Sequence, residues 1–197
     1  MKIIDVLLCE GRTGFYFDDQ RAIKKGAKQD LLIYEGEAIT SGFTAIRQAG
    51  EAISVLLVLE NGEIAHGDCA AVQYSGAGGR DPLFLAADFI PFIETHISPL
   101  LINQELSTFK EMAEVIDNLT IAGKKVHTAI RYGVTQALLD AFAKKDHITM
   151  AEVIQKEYEI ELPFKQIPIF GQCGDERYTN ADKMIIKHVD VLAHALI

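Results

Sequence analysis

Gln73, Tyr74 and Ser75 put three hydrogen-bonding side chains directly before a glycine-rich run, Gly76-Ala77-Gly78-Gly79, which ends in Arg80-Asp81-Pro82. Polar groups beside glycines suit a loop whose backbone approaches a ligand closely, because a residue without a Cβ accepts conformations and contacts that others cannot. Asp81-Pro82 reads as an N-cap followed by proline at the first helical position, so the loop is expected to end at a helix N-terminus. Its unpaired N–H groups would hold a carboxylate or phosphate, with Asp81 itself competing for them. The pattern argues against a nucleotide loop: no Gly-Lys-Ser/Thr follows, and Gly76-x-Gly78 lacks the third glycine of the dinucleotide fingerprint. On these residues alone, a plain strand-to-helix connection stays open beside the ligand-binding reading.

The elements around the loop must hold it in place. Ile53 to Leu59 and Glu63 to Val72 are β-rich and flank Asn61-Gly62, which predicts a hairpin with both turn residues at φ > 0. That hairpin would deliver Gln73 to the tip of a sheet strand, a rigid mount for a ligand contact. Upstream, Ile3 to Leu8 reads as a strand and Gln20 to Lys25 as a short basic helix. Between them, Gly11 to Asp19 reads as an aromatic-acidic loop whose Phe15, Tyr16 and Phe17 pack under the domain or cover a site. After Pro82 the text is helical. Leu83 to Leu101 forms one long helix that Pro91 or Pro99 could break. Thr108-x-x-Glu111 and Thr149-x-x-Glu152 are capping boxes that start helices at Phe109 and Met150. His127 to Lys144 carries Ile130, Val134, Ala137, Leu138 and Ala141 on one face, with Ala129 and Gly133 allowing close packing. Strands first and helices after predict an α+β fold.

At Pro163 the helical text stops. Gln166 to Phe170 reads as a short buried strand that ends in the polar loop Gly171 to Asp175. Ala181 to Lys187 reads as a helix, and Val189 to Leu192 as a strand ending at His194. Strand, helix and strand make a βαβ unit, whose parallel sheet needs further strands to bury both faces. A domain boundary is therefore expected at Pro163, with the second domain begun and not finished. An unfinished sheet edge predicts self-association or disorder after about Pro163.

The 197 residues are 49% hydrophobic and 24% charged, the balance of a folded protein. A net charge of −9 without a basic stripe argues against nucleic acid as a partner and for small molecules or protein. No apolar run approaches the roughly twenty residues of a membrane span. Met1-Lys2-Ile3-Ile4-Asp5 does not read as a signal peptide, so a cytoplasmic location is expected. Cys9, Cys69 and Cys173 are widely spaced and suggest neither disulfides nor zinc, only small buried hydrophobes.

Four stretches carry a resemblance. Phe15-Tyr16-Phe17-Asp18-Asp19-Gln20, the run Gly67 to Pro82, His127-Thr128-Ala129-x-Arg131-Tyr132-Gly133 and Asp182-Lys183-Met184-Ile185-x-Lys187 resemble the methylaspartate ammonia-lyase family of the enolase superfamily, and the likeness runs from Met1 to Ile197. It implies an enolase-like N-terminal capping domain over 1–160, an antiparallel β-meander followed by helices. It further implies the first βαβ part of an incomplete TIM-type barrel over 161–197. The implied reaction is reversible loss of ammonia from L-threo-3-methylaspartate to give mesaconate, by proton abstraction α to a carboxylate bound to magnesium (Mg2+). Superfamily sites use a lysine or histidine base with one or two such ions.

Carried over by position, His194 takes the catalytic acid/base or transition-state role, Gln172 and Gln73 bind substrate, and Phe170 is a pocket wall. The family pattern is departed from at Ala193, where proline is usual, and at Cys173, where serine is usual. The magnesium ligands and the lysine base are expected beyond Ile197, so this chain alone is expected to be inactive. Asp68, Asp175, Glu176 and Asp190 match none of the ligand positions and read as surface or capping groups. The expected partners are an amino-acid substrate and either a second copy or the remaining barrel portion. A non-catalytic interaction module and another ammonia-lyase of the superfamily are the competing readings.

Overall fold

Ile53, Val55, Leu57 and Leu59 alternate along the chain and all four are fully buried, the period-two signature of a strand with one face on a core. The computed structural model describes residues 1–71, 81–161, 163, 165–172 and 177–193. It separates them into two compact units, residues 1–160 and 161–197. In the first unit the four residues lie in the central strand of a three-stranded antiparallel sheet.

The first unit begins with β1 (Ile3–Asp18), α1 (Gln20–Lys24) and the small hairpin β2 (Gln29–Asp30) and β3 (Ile33–Tyr34). β4 (Arg47–Leu59) and β5 (Ile64–Ala70) complete the main sheet in the order β1-β4-β5, a meander as expected. The segment Gly11 to Asp18 is strand and not the expected loop. Its pairing with β4 breaks register between Arg12 and Tyr16 and then resumes, Tyr16 to Asp18 against Ala49 to Arg47. The slack is accommodated at Gly50, where a Cβ would run into the Thr13 hydroxyl and the Phe15 carbonyl. Of the three rings, Phe17 is fully buried while Phe15 and Tyr16 stay half exposed.

The β4–β5 hairpin forms as expected, but with a longer turn. Gly62 donates to the Leu59 carbonyl at 2.8 Å and Leu59 to the Glu63 carbonyl at 2.8 Å, so Glu60, Asn61 and Gly62 make a three-residue loop. Only Gly62 has positive φ, at 87°. Asn61 serves by its side chain, which accepts from the Glu63 N–H at 3.1 Å.

The helices follow: α2 (Ala86–His96), α3 (Ser98–Leu101) and α4 (Phe109–Asn118). Then come the hairpin β6 (Thr120–Ile121) and β7 (Lys124–Lys125), α5 (Thr128–Asp146) and α6 (Met150–Glu157). Pro91 sits inside α2, and the break falls at Ile97, just before Pro99. Thr108 and Thr149 cap α4 and α6 at the expected residues, and Thr149 with Glu152 makes the full reciprocal box. The face Ile130, Val134, Ala137, Leu138 and Ala141 of α5 is buried. α5 crosses β5 so closely that a Cβ at Gly67 would strike the Gly133 carbonyl, and a Cβ at Gly133 the Cys69 backbone. Cys69 is buried at this crossing, and burial with help from Asp68 pushes its thiol up to about 12. Cys9 is exposed, contrary to expectation, because the alternation of β1 turns it away from the core.

The second unit holds β8 (Phe170–Gln172), α7 (Arg177–Ile186) and β9 (Val191–Ala193), with β8 and β9 parallel. This is the expected βαβ unit. Its first strand starts four residues later than expected and is not buried: Ile167 is 80% exposed and Phe170 66%. The reason is one-sided cover. A Cβ at Gly171 would meet Met184 of α7 and Val189, so α7 lies over the Gly171 face of β8, and alternation puts Phe170 on the other. Among the described residues no helix is long and apolar enough to cross a membrane.

Candidate functional site

In the second unit, register sets the geometry. Phe170 pairs with Val191, Gly171 with Leu192 and Gln172 with Ala193, so the two strands end level. Gln172 thus closes one strand end, and the chain reaches His194 one residue past its partner on the neighbouring strand. Parallel strands that end together are where α/β enzymes gather polar groups, since the following loops all leave from one edge. Asp190 steadies the start of the pair by accepting from the Ile169 N–H at 2.8 Å. Phe170 stands on the uncovered face. His194 and Gln73 lie outside the described residues, as do Cys173, Asp175 and Glu176.

The first unit builds the two flanks of the segment that carries Gln73. On the near flank β5 is sealed by α5: the Asp68 N–H donates to Gln136 Oε1 at 3.1 Å, the His66 N–H to Asp140 Oδ2 at 2.8 Å, and Lys144 Nζ to the Ile64 carbonyl at 2.8 Å. Alternate backbone groups of an edge strand are met by helix residues one turn apart, which also denies the edge to another strand. Asp68 is a surface acid, accepting from Ser54 Oγ at 2.6 Å.

The far flank corrects the anion-site expectation. No helix starts at Asp81-Pro82; α2 starts at Ala86 after Leu85, which gives no side-chain cap. Glu51 of β4 supplies the missing acceptor, taking the Ala86 N–H at 2.7 Å, and also pairs with Arg12 at 2.9 Å. A carboxylate of the chain itself therefore occupies the helix end that was expected to hold a ligand. Pro82 has a different role. Its carbonyl lies 3.1 Å from His127 Nε2, while His127 Nδ1 accepts the Ala129 N–H at 3.0 Å and caps α5. Nδ1 being an acceptor, the proton of the neutral ring sits on Nε2 and is donated to Pro82. The ring is packed against Phe84 and Phe89, centroids 5.0 and 5.1 Å away, and is 6% exposed. Burial lowers its pKa; the bond to Pro82 and the charge of Asp81 oppose that, and Arg131 adds to it. Beside it opens a cleft of about 660 Å³ lined by Phe89, Phe92, Lys124, Lys125 and Arg131 among others.

Asp19 is the other residue whose role sequence reasoning missed. One oxygen accepts from the Arg21 and Ala22 N–H groups and from the Thr40 hydroxyl at 2.6 Å; the other accepts from the Ile39 and Thr40 N–H groups at 2.7 and 2.8 Å. Burial opposes its charge, but these donors outweigh it and hold the carboxyl down at about 2. Next to it, Asp18 takes Arg47 in a two-pronged bond, both contacts 2.7 Å, and Arg47 lies over the Tyr16 and Tyr34 rings. Both ends of the segment 20–46 are thereby fastened to the sheet. The signal was the Asp18-Asp19 pair directly after three aromatics, where acids should be solvated unless partnered.

Magnesium needs about six oxygen ligands. Among the described residues no three His, Cys, Asp or Glu side chains converge on one point, so these residues do not fit the ion.

Comparison with known proteins places the chain. The family described as methylaspartate ammonia-lyase N-terminus matches residues 1–159, and that described as methylaspartate ammonia-lyase C-terminus matches 161–197. Methylaspartate ammonia-lyase of Clostridium tetanomorphum is 64% identical over 197 residues, which are all of this chain and 48% of that protein. The chain thus spans about half the length of the curated relatives it matches. Structures of that enzyme, β-methylaspartase, as a magnesium complex and of its Q73A mutant superpose with TM-score 0.94, again covering 100% and 48% of the two chains. The Citrobacter amalonaticus enzyme containing (2S,3S)-3-methylaspartic acid is 56% identical with TM-score 0.92, at the same coverage. An L-Ala-D/L-Glu epimerase of Bacillus subtilis, 12% identical with TM-score 0.56 over all of this chain and 45% of its own, shares the fold alone.

Proposed function

Because the chain belongs to the methylaspartate ammonia-lyase family, we propose that it supplies the capping domain, residues 1–160, and the first two barrel strands, within 161–197, of a cytoplasmic carbon–nitrogen lyase. The reaction is the reversible elimination of ammonia from L-threo-3-methylaspartate to give mesaconate. One observation carries this reading: 64% identity to such an enzyme continues without interruption across all 197 residues and both units. The methylaspartic acid held by the Citrobacter amalonaticus relative supports the substrate class.

The chemistry sets what these residues must do. A C–H proton α to a carboxylate is weakly acidic, so a base has to face it while the substrate is held for loss of the amine. His194, the residue that follows β9 in the sequence, is the acid/base or transition-state group on one face of the substrate. Gln172, at the end of β8, grips a carboxylate with a neutral amide, which fixes the substrate without disturbing the protonation of its neighbours. Gln73 contacts the substrate near the amine, and the Q73A mutant made in the Clostridium tetanomorphum relative is in keeping with interest in that position. Phe170 walls the pocket, a role in keeping with its uncovered ring. Magnesium, present in that relative's structure, belongs with positions outside the described residues, and so does the lysine base. The partner of this chain in the working enzyme is either a second copy or the remaining barrel portion.

An absorbance assay for mesaconate with 3-methylaspartate and magnesium tests the reading. The chain combined with the barrel segment that follows this span in the Clostridium tetanomorphum relative is expected to be active, and the chain alone inactive. A complex that forms and never turns over substrate would sink it.

A further inference from the structure

We propose that His127 is a positioning residue for the segment that carries Gln73, clamping its exit onto the start of α5 through the Pro82 carbonyl. This rests on the reading of Gln73 as a substrate-binding residue. Both described flanks of the segment are referred to one helix. The near flank is fixed where Gly67 and Gly133 bring the β5 and α5 backbones together, where Gln136 takes the Asp68 N–H, and where Cys69 Sγ approaches the Ile130 carbonyl at 4.0 Å. The far flank is fixed by His127, the residue that opens the same helix. α5 is 19 residues long and carries nine buried side chains or glycines, so it offers a rigid reference for both ends.

The choice of histidine fits a clamp better than a cap. Asparagine, aspartate and serine cap helices best and cost little to order. At His127 the second partner is a carbonyl, so the cap must accept with one atom and donate with another across the breadth of a ring; an aspartate such as Asp19 reaches a second segment only by accepting, and serine and asparagine are shorter. Here one ring nitrogen does the capping and the other is left for Pro82, with Phe84 and Phe89 fixing the plane of the ring so that the second bond has a set direction. Phe84 follows Pro82 by two residues and stacks on Phe89 at 4.9 Å, so the stretch before α2 and α2 itself close around the same ring.

His127→Asn separates the two duties, since asparagine keeps the cap and loses Pro82. In the lyase completed with the relative's barrel segment, His127→Asn is expected to keep the Tm within a few degrees and to lower kcat/KM by about 10- to 100-fold, the cost of a small misplacement at a reacting site. Gln73→Ala is expected to lower kcat/KM as well, and the double variant to be no worse than Gln73→Ala alone, because the clamp acts through Gln73. Additive losses, or an unchanged kcat/KM in His127→Asn, overturn the clamp. If Gln73→Ala leaves kcat/KM unchanged, the reading of Gln73 fails, and hydrogen exchange then decides the clamp: peptides covering 81–86 must exchange faster in His127→Asn, and equal exchange overturns it.

Discussion

The two units solve the burial problem to different degrees. In residues 1–160, Ile53, Val55, Leu57 and Leu59 of β4 meet the apolar face of α5, and each is fully buried. In residues 161–197, Ile167, Phe170, Tyr178 and Ile186 are 80, 66, 90 and 75% exposed. A sheet of five or six strands can bury both faces; a parallel pair with one helix covers one. The first unit therefore buries one face of its sheet under its own helices, while the described residues of the second leave large apolar side chains exposed. The strand ends that carry the proposed chemistry sit on the part that is least able to hold itself rigid.

The largest effect is expected where the first unit is tightest. At the β5–α5 crossing the two backbones touch, and Gly133→Val would push a branched side chain into the Cys69 and Asp68 backbone. We expect a loss of about 3 kcal/mol or more in denaturant unfolding, because neither backbone can retreat. A loss below about 1 kcal/mol would mean that α5 can shift away from β5, and the contrast between a closely packed and a half-covered unit would weaken.

A smaller effect, on the order of 2 kcal/mol, is expected at Asp19. Its carboxyl is held at about 2 against an ordinary 3.8. The folded value is the lower one, so this stability is fully present above pH 4 and is lost as pH falls from about 4 to about 2. At ~1.4 kcal/mol per pH unit of displacement the loss approaches ~2 kcal/mol. Asp19→Asn should remove that acid-side slope and let the segment 20–46 exchange hydrogen faster, while β4 stays protected. An unchanged pH profile would show that the donors around Asp19 are satisfied in some other way.

Much of this architecture was legible because local patterns and tertiary needs agree. Thr108-x-x-Glu111 and Thr149-x-x-Glu152 start helices where the boxes say, and the apolar spacing of α5 selects its buried face. Legibility fails where a distant partner decides. Asp81-Pro82 has the form of a helix start, but Glu51, thirty residues earlier, caps the real one at Ala86. Tyr16 to Asp18 looks like a loop until Ala49 to Arg47 pair with it. The hairpin at Asn61-Gly62 was placed by its dipeptide, yet the extra turn residue was hidden, since a three-residue loop with one left-handed glycine uses the same letters. Of the candidate site, the strand–helix–strand order was legible from the βαβ rhythm, but the first strand runs Phe170–Gln172 where Gln166–Phe170 was expected, so Gln172 lies in the strand and not in the loop. His127 and Asp19 were not legible, because their meaning lies in bonds to Pro82, Thr40 and Ile39 that no spacing announces.

The smallest expected effect discriminates most sharply between the two units. Leu57→Ala in the first should cost about 2–5 kcal/mol, as a buried leucine does. Ile186→Ala in the second removes a side chain that is 75% exposed, and should cost no more than about 0.5 kcal/mol in this chain alone. If the two losses were similar, Ile186 would be covered in solution, and dilution would separate the causes: a loss that fades at low protein concentration points to a second copy, one that does not to cover within the chain. Once the barrel segment of the relative is supplied, the same substitution gains a second readout. A cost that rises from about 0.5 toward 2 kcal/mol would mean that Ile186 packs against later strands, whereas an unchanged cost would put it on the outside of the finished barrel and leave Phe170 as the better marker of where those strands dock.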